Sequence, residues 1–156
     1  MKTKLTLIRI LGLLAVVLAF TFSACEKDNT SGPLNITGKW AYQQFQGIQQ
    51  YEFKNDNQVQ FDVIATDSVT KKIIGYRFRS VGKYSIKNDS LIMFDLVNYS
   101  NSKNSYGPQT ELTAVDGSKK LACGLSLNGP KNKLLLYFTC PFNASCAPSP
   151  MVFDKQ

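Results

Sequence analysis

From residue 34 onward apolar and polar side chains alternate with a period of two. That is the spacing of strands with one buried face, and no stretch of ten or more residues carries a helical stripe. Trp40 and Tyr42 share a face after the lead-in Ile36-Thr37-Gly38, and Tyr51 and Phe53 share one in the next segment. Asn55-Asp56-Asn57 signals a turn. Val59, Phe61 and Val63 then alternate with Gln58, Gln60 and Asp62, which predicts an antiparallel hairpin with one wet side. After a polar connection over residues 67–72, Ile74, Tyr76, Phe78, Gly82, Tyr84 and Ile86 all take even positions, opposite Arg77, Arg79, Lys83, Ser85 and Lys87. One long strand, or two bent near residues 80–82, is expected to keep a single apolar face. Beyond the turn Asn88-Asp89-Ser90, Ile92, Phe94 and Leu96 point one way and Leu91, Met93 and Val97 the other, so this strand is expected to be covered on both sides.

Residues 98–108 form the longest polar stretch and read as a loop, long enough to be functional or simply mobile. Thr110, Leu112 and Ala114 suggest a short strand. Residues 121–127 and 134–140 flank Asn128-Gly129-Pro130-Lys131-Asn132 as a hairpin, and Met151-Val152-Phe153 suggests a closing strand. Eight to ten strands at short spacing point to an all-β sandwich or closed barrel.

The N-terminal region follows a different rule. Lys2, Lys4 and Arg9 precede an uncharged run from Ile10 that ends in Phe22-Ser23-Ala24-Cys25. A basic leader, a short apolar core and small residues before a cut are the parts of a secretory signal, and residues 10–22 are too few for the roughly 18 of a spanning helix. The Ser-Ala-Cys ending resembles the lipobox of bacterial lipoproteins. That resemblance implies acylation of the Cys25 sulfur, removal of residues 1–24 and a membrane-anchored mature chain. Residues 25–33 read as a flexible tether. Acidic residues just after the cysteine resemble the export signals of surface lipoproteins in Bacteroidota. The implied location is the cell envelope, at the outer membrane, with outward display favoured over the periplasmic face.

Removing residues 1–24 leaves 132 of 156 residues, enough for one domain over residues 34–156 and not for two. The formal charge is +7, of which the leader supplies three, leaving +4. No clustered basic footprint for nucleic acid results. Tyr76-Arg77-Phe78-Arg79 interleaves rings and guanidiniums, but strand alternation sends them to opposite faces, and a half-buried strand is the expected reading. The outward Arg77, Arg79 and Lys83 leave a basic stripe that could meet acidic glycans or lipid head groups. The chain has no histidine, which removes histidine relays, Ser-His-Asp triads and His-ligated metals. Neither paired carboxylates nor a calcium loop is recognisable, so no cofactor, metal site or catalytic residue is expected. With Cys25 committed to lipid, Cys123, Cys140 and Cys146 remain in an oxidising compartment. Cys140 and Cys146 could close a small loop, or Cys123 and Cys140 could bridge the hairpin diagonally.

The segment Leu34-Asn35-Ile36-Thr37-Gly38-Lys39-Trp40, a Tyr-x-Phe strand, an Asn-Asp-Asn turn and the later Gly-Lys-Tyr-Ser-Ile-Lys-Asn-Asp-Ser-Leu resemble the lipocalin-like lipoproteins of Bacteroidota. The resemblance implies a single antiparallel up-and-down β-barrel. In lipocalins the tryptophan plugs the closed end, and an arginine from a late strand packs across it; here no arginine follows Arg79. Interior candidates, which would also line any ligand site, are Trp40, Tyr42, Phe61, Tyr76, Phe78, Tyr84 and Phe94. Their size favours an interior filled by its own side chains over an open cavity. The implied function is a non-enzymatic, lipid-anchored binding or interaction module for a small apolar ligand, a glycan or a protein partner. A structural or inhibitory surface protein, with a filled core and contacts through residues 98–108, is the alternative.

Overall fold

The computed structural model describes residues 34–44, 47–103, 105–140 and 149–156, all within the second of two units, Pro33–Gln156. Cys25, Cys146, the leader and the tether lie outside the described residues. The chain runs β1 (Gly38–Gln44), β2 (Gly47–Phe53), β3 (Gln58–Thr66), β4 (Ile73–Lys87), β5 (Ser90–Asn101), β6 (Leu112–Val115), β7 (Lys120–Asn128), β8 (Lys133–Tyr137) and β9 (Met151–Lys155). Among the described residues the only helical piece is a 3-10 turn at Gln109–Glu111.

All nine strands belong to one antiparallel sheet that closes in a ring. β1 to β5 pair successively, β5 passes to β7, β7 to β8 and β8 to β9, and β9 returns to β1. β6 adds to the far half of β5, beside the stretch that β7 leaves free: residues 98–101 pair with β6 and residues 90–94 with β7. The expected closing strand is therefore present as β9. Its seam with β1 is short, Trp40↔Lys155 and Ala41↔Asp154, extended by a bond from the Gln156 amide to the Lys39 carbonyl.

Alternation places one apolar row inside the ring. Trp40, Phe53, Leu91, Leu134, Leu136 and Phe153 are almost fully buried there, with Tyr51, Val59, Tyr84, Cys123 and Leu125 beside them. Each large buried side chain of this kind contributes roughly 1.5–3 kcal/mol. Leu34 and Ile36 pack on the same cluster, and Trp40 Nε1 donates to the Ile36 carbonyl at 2.6 Å. The lead-in to β1 is thereby fastened under the indole. Aromatic contacts link neighbouring strands: Tyr51 lies 4.6 Å from Phe61 and 5.2 Å from Phe153, and Phe53 meets Tyr84 edge-on at 5.0 Å.

Simple alternation fails where β4 and β5 slip in register. Between Val63/Ile64 and their β4 partners the register slips by one residue, so that Arg77 is extra. Phe78 stays inside, but Tyr76 turns to the outer face beneath the Arg79 guanidinium, 5.0 Å from its ring centre. Ile74, expected inside, is 67% exposed. In β5 a second slip falls between the partners of Val81 and Lys83, where Asp95 adopts φ +54°. Leu91 and Met93 face inward before it, and Leu96 and Asn98 face inward after it. Phe94 is thus on the outer face opposite Lys83, and not with Leu96 as expected. Gly82 lies at this point because a Cβ there would come within 2.7 Å of the Phe94 carbonyl oxygen.

The polar stretch 98–108 is not one open loop. β5 continues through residues 98–101, where Asn98 and Asn101 are buried. Beyond it Gly107 exchanges backbone bonds with Tyr76, at 2.7 and 3.1 Å, and the Arg77 guanidinium stands over the Tyr106 ring. Tyr106 lies so close above Gly47 and Gly75 that a side chain at Gly47 would strike its hydroxyl.

Candidate binding cavity

Within the ring a half-open cavity of about 360 Å³ leaves part of the interior unfilled, where one filled throughout by its own side chains was expected. Tyr51, Phe61 and Phe78 supply aromatic walls, while Val59, Met93, Leu96 and Leu121 supply aliphatic ones. Ser80 and Asn98, register partners on β4 and β5, face it as polar groups. The connection between β6 and β7 contributes Asp116, Gly117 and Ser118. That connection is held down by Asn98 Nδ2, which donates to the Ser118 carbonyl at 3.3 Å. Gly117 lies close beneath it, and a Cβ there would come within 2.7 Å of the same amide nitrogen.

Of the interior residues expected from the sequence, Phe61 and Phe78 line the cavity, 6.2 Å apart between ring centres. Trp40 and Tyr84 are buried, and Tyr42 packs on the core beside Phe153. These three belong to the packed part of the ring and not to the cavity wall. Tyr84 also spans a turn, its hydroxyl donating to the Lys54 carbonyl at 3.2 Å. Tyr76 and Phe94 are outside, for the reasons given above. Sequence reading missed Tyr51, Val59, Ser80, Met93, Leu96, Asn98 and Leu121 as lining residues. Ser80 shares the even parity of Phe78 and Tyr84, and that parity was the available signal. Asn98 was hidden in a stretch that looked like loop.

On the outer face each cation of the expected basic stripe has its own partner. Arg79 grips Asp62 with two bonds, Nε to Oδ1 at 2.7 Å and Nη2 to Oδ2 at 3.1 Å, and Gln60 Nε2 donates to the same carboxylate at 2.6 Å. The hydrogen bond that Arg79 donates to Asp62 holds the guanidinium pKa above its ordinary value, against the opposing effect of burial. Asp62 is only 4% exposed although it stands on the face expected to be wet. Lys83 pairs with Asp95 at 3.5 Å, and Arg77 covers Tyr106. The supposed basic stripe is therefore three separately partnered cations.

No disulfide joins two described residues. Cys123 is a free, buried thiol, so it does not bridge the hairpin to Cys140. Cys140 is disulfide-bonded to a residue outside the described ones. Burial pushes the Cys123 thiol up to about 11, and burial together with the nearby Cys123 raises the Tyr51 phenol as well. Both are neutral at ordinary pH. Among the described residues no group of three or more Cys, Asp or Glu side chains could hold a metal ion, and no helix is long and apolar enough to cross a membrane.

With this geometry in hand the chain was compared with known proteins: no family model, no curated protein and no solved structure matches it.

Proposed function

We propose that residues 34–156 form a lipocalin-like cup, an up-and-down β-barrel, which is carried on acylated Cys25 at the outer membrane and takes up a small, largely apolar molecule without chemical change. The cavity carries this reading: about 360 Å³ lined by three aromatic and four aliphatic side chains lies within the size range of small-molecule sites. Two further features support the lipocalin-like part. Apart from β6, strands adjacent in sequence pair around the ring, and Trp40 is fully buried with Lys155 Nζ 5.4 Å over its indole. In lipocalins an arginine from a late strand holds that position; here a lysine of the closing strand does so by cation–π attraction.

The apolar walls favour a lipid-like molecule over a glycan, whose hydroxyls would go unpaired there. They also weigh against the reading of a filled, purely structural core. Anchoring is tested by palmitate labelling in the producing cell, where wild type takes up label and Cys25→Ala does not. Binding is tested by native mass spectrometry of the protein purified from that cell. A retained small molecule is expected, and it should be absent from Leu121→Trp, whose indole fills the space. Equal label in Cys25→Ala would remove the anchor, and an empty wild-type protein that also binds no added aliphatic probe would remove the binding role.

A further inference from the structure

Beside that cavity one buried group has nothing to bond to. Ser80 is 7% exposed, and its Oγ is the only buried side-chain nitrogen or oxygen among the described residues without a hydrogen-bond partner. A buried hydroxyl in that condition destabilises the fold unless something arrives to pair with it. Ser80 borders the cavity, and rotation about its single χ1 torsion moves the oxygen between staggered positions, including toward the open space. Its register partner Asn98 has its amide nitrogen engaged with Ser118, which leaves the Ser80 hydroxyl as the unengaged donor of this β4–β5 pair.

The charge around the cavity narrows the ligand further. Among the described residues Asp116 is the only charged one lining it; no described lysine or arginine does so. Arg79, next in sequence to Ser80, is on the outer face and bound to Asp62. A carboxylate ligand would therefore find no counter-ion on these walls and would face a like charge. The volume of about 360 Å³ accommodates roughly 12 non-hydrogen atoms at about 30 Å³ each.

We propose that the cavity selects an uncharged, singly oxygenated aliphatic molecule of about that size, an alcohol or ketone whose oxygen pairs with Ser80 Oγ while its chain lies against Tyr51, Val59, Phe61 and Met93. The inference rests on reading the cavity as a ligand site. It is tested by calorimetric titration of the full chain in polymer-bounded membrane discs with 1-nonanol and with nonanoate at pH 8, empty discs serving as reference. Nonanol binds saturably and nonanoate binds about tenfold or more weakly, the difference expected when a charge lacks a partner. Ser80→Ala weakens nonanol by about tenfold, the loss of one hydrogen bond of this kind. It also raises the unfolding midpoint of the unliganded protein, because the unpaired hydroxyl is gone. Equal binding of both probes, unchanged in Ser80→Ala but abolished in Leu121→Trp, overturns this selection and leaves the binding role standing. Failure of both probes to bind wild type overturns the binding role and the selection with it.

Discussion

Removing Arg79 tests how the outer face of the sheet is held. The side chains of Asp62 and Arg79 are only 6% and 15% exposed, and two bonds of 2.7 and 3.1 Å join them. In Arg79→Met the carboxylate keeps only the Gln60 amide, at 2.6 Å. Leaving one member of a buried pair behind costs about 3–5 kcal/mol, because the remaining charge stays desolvated without compensation. For a domain of this size that is a large part of a total near 5–15 kcal/mol. With a urea dependence of roughly 2 kcal/mol per molar, the midpoint should fall by about 1.5–2.5 M. Trp40, the single tryptophan and fully buried, reports the transition by its fluorescence. The double variant Asp62→Leu/Arg79→Met removes both charges and should recover at least half of the loss, since replacing a buried pair by apolar groups is often neutral. A single Arg79→Met variant within 1 kcal/mol of wild type, or a double variant no better than the single, would refute the reasoning. Lys83→Met offers the contrast, because its pair with Asp95 is 59% and 67% exposed and should contribute about 0–1 kcal/mol.

Three further outcomes are expected. Gly82→Ala should lower stability by roughly 1–3 kcal/mol in the same urea assay, because the added methyl meets the Phe94 carbonyl oxygen at 2.7 Å and Leu96 Cδ2 at 2.8 Å. The Cys123 thiol titrates near 9.0 when unfolded and is pushed up to about 11 by burial, so its contribution is fully present below pH 9 and is lost as the pH rises toward 11. Cys123→Ala should therefore show a shallower alkaline decline over that interval, and native Cys123 should resist iodoacetamide at pH 8 until urea unfolds the chain. Trp40→Phe deprives the buried Ile36 carbonyl of its 2.6 Å donor and should cost about 1–3 kcal/mol from that group alone, read as a lower thermal midpoint.

The period-two pattern was sufficient for an all-β chain, for most strand positions and for the closing role of residues 151–153. It was sufficient only while every strand advanced one residue for each residue of its neighbour. Arg77 and Asp95 each break that parity, and everything beyond the break changes sides: Tyr76 goes out, and Leu96 comes in where Phe94 was expected. Neither break has a strong local signal, since aspartate enters the left-handed region without the glycine that would have announced it. Residues 98–101 were taken for loop because their side chains are polar. They are strand because Asn98 and Asn101 are bonded to Ser118 and Glu111, partners 20 and 10 residues away that composition does not reveal. The cavity was missed for a related reason. Interior candidates were chosen by size, and the space is bounded by Ser80, Asn98 and the connection through Gly117, where side chains are small.

The short β1–β9 seam has a consequence for damaged copies of the chain. Every other strand pairs with a neighbour that precedes it or follows directly, so a nascent polypeptide can assemble them as they emerge, but β9 alone joins the beginning to the end. A product truncated before Met151 would present β1 and β8 as two raw rims, each offering unsatisfied amides and carbonyls to any other copy nearby. Loss of six residues would thus convert a self-contained ring into a unit primed to stack edge to edge.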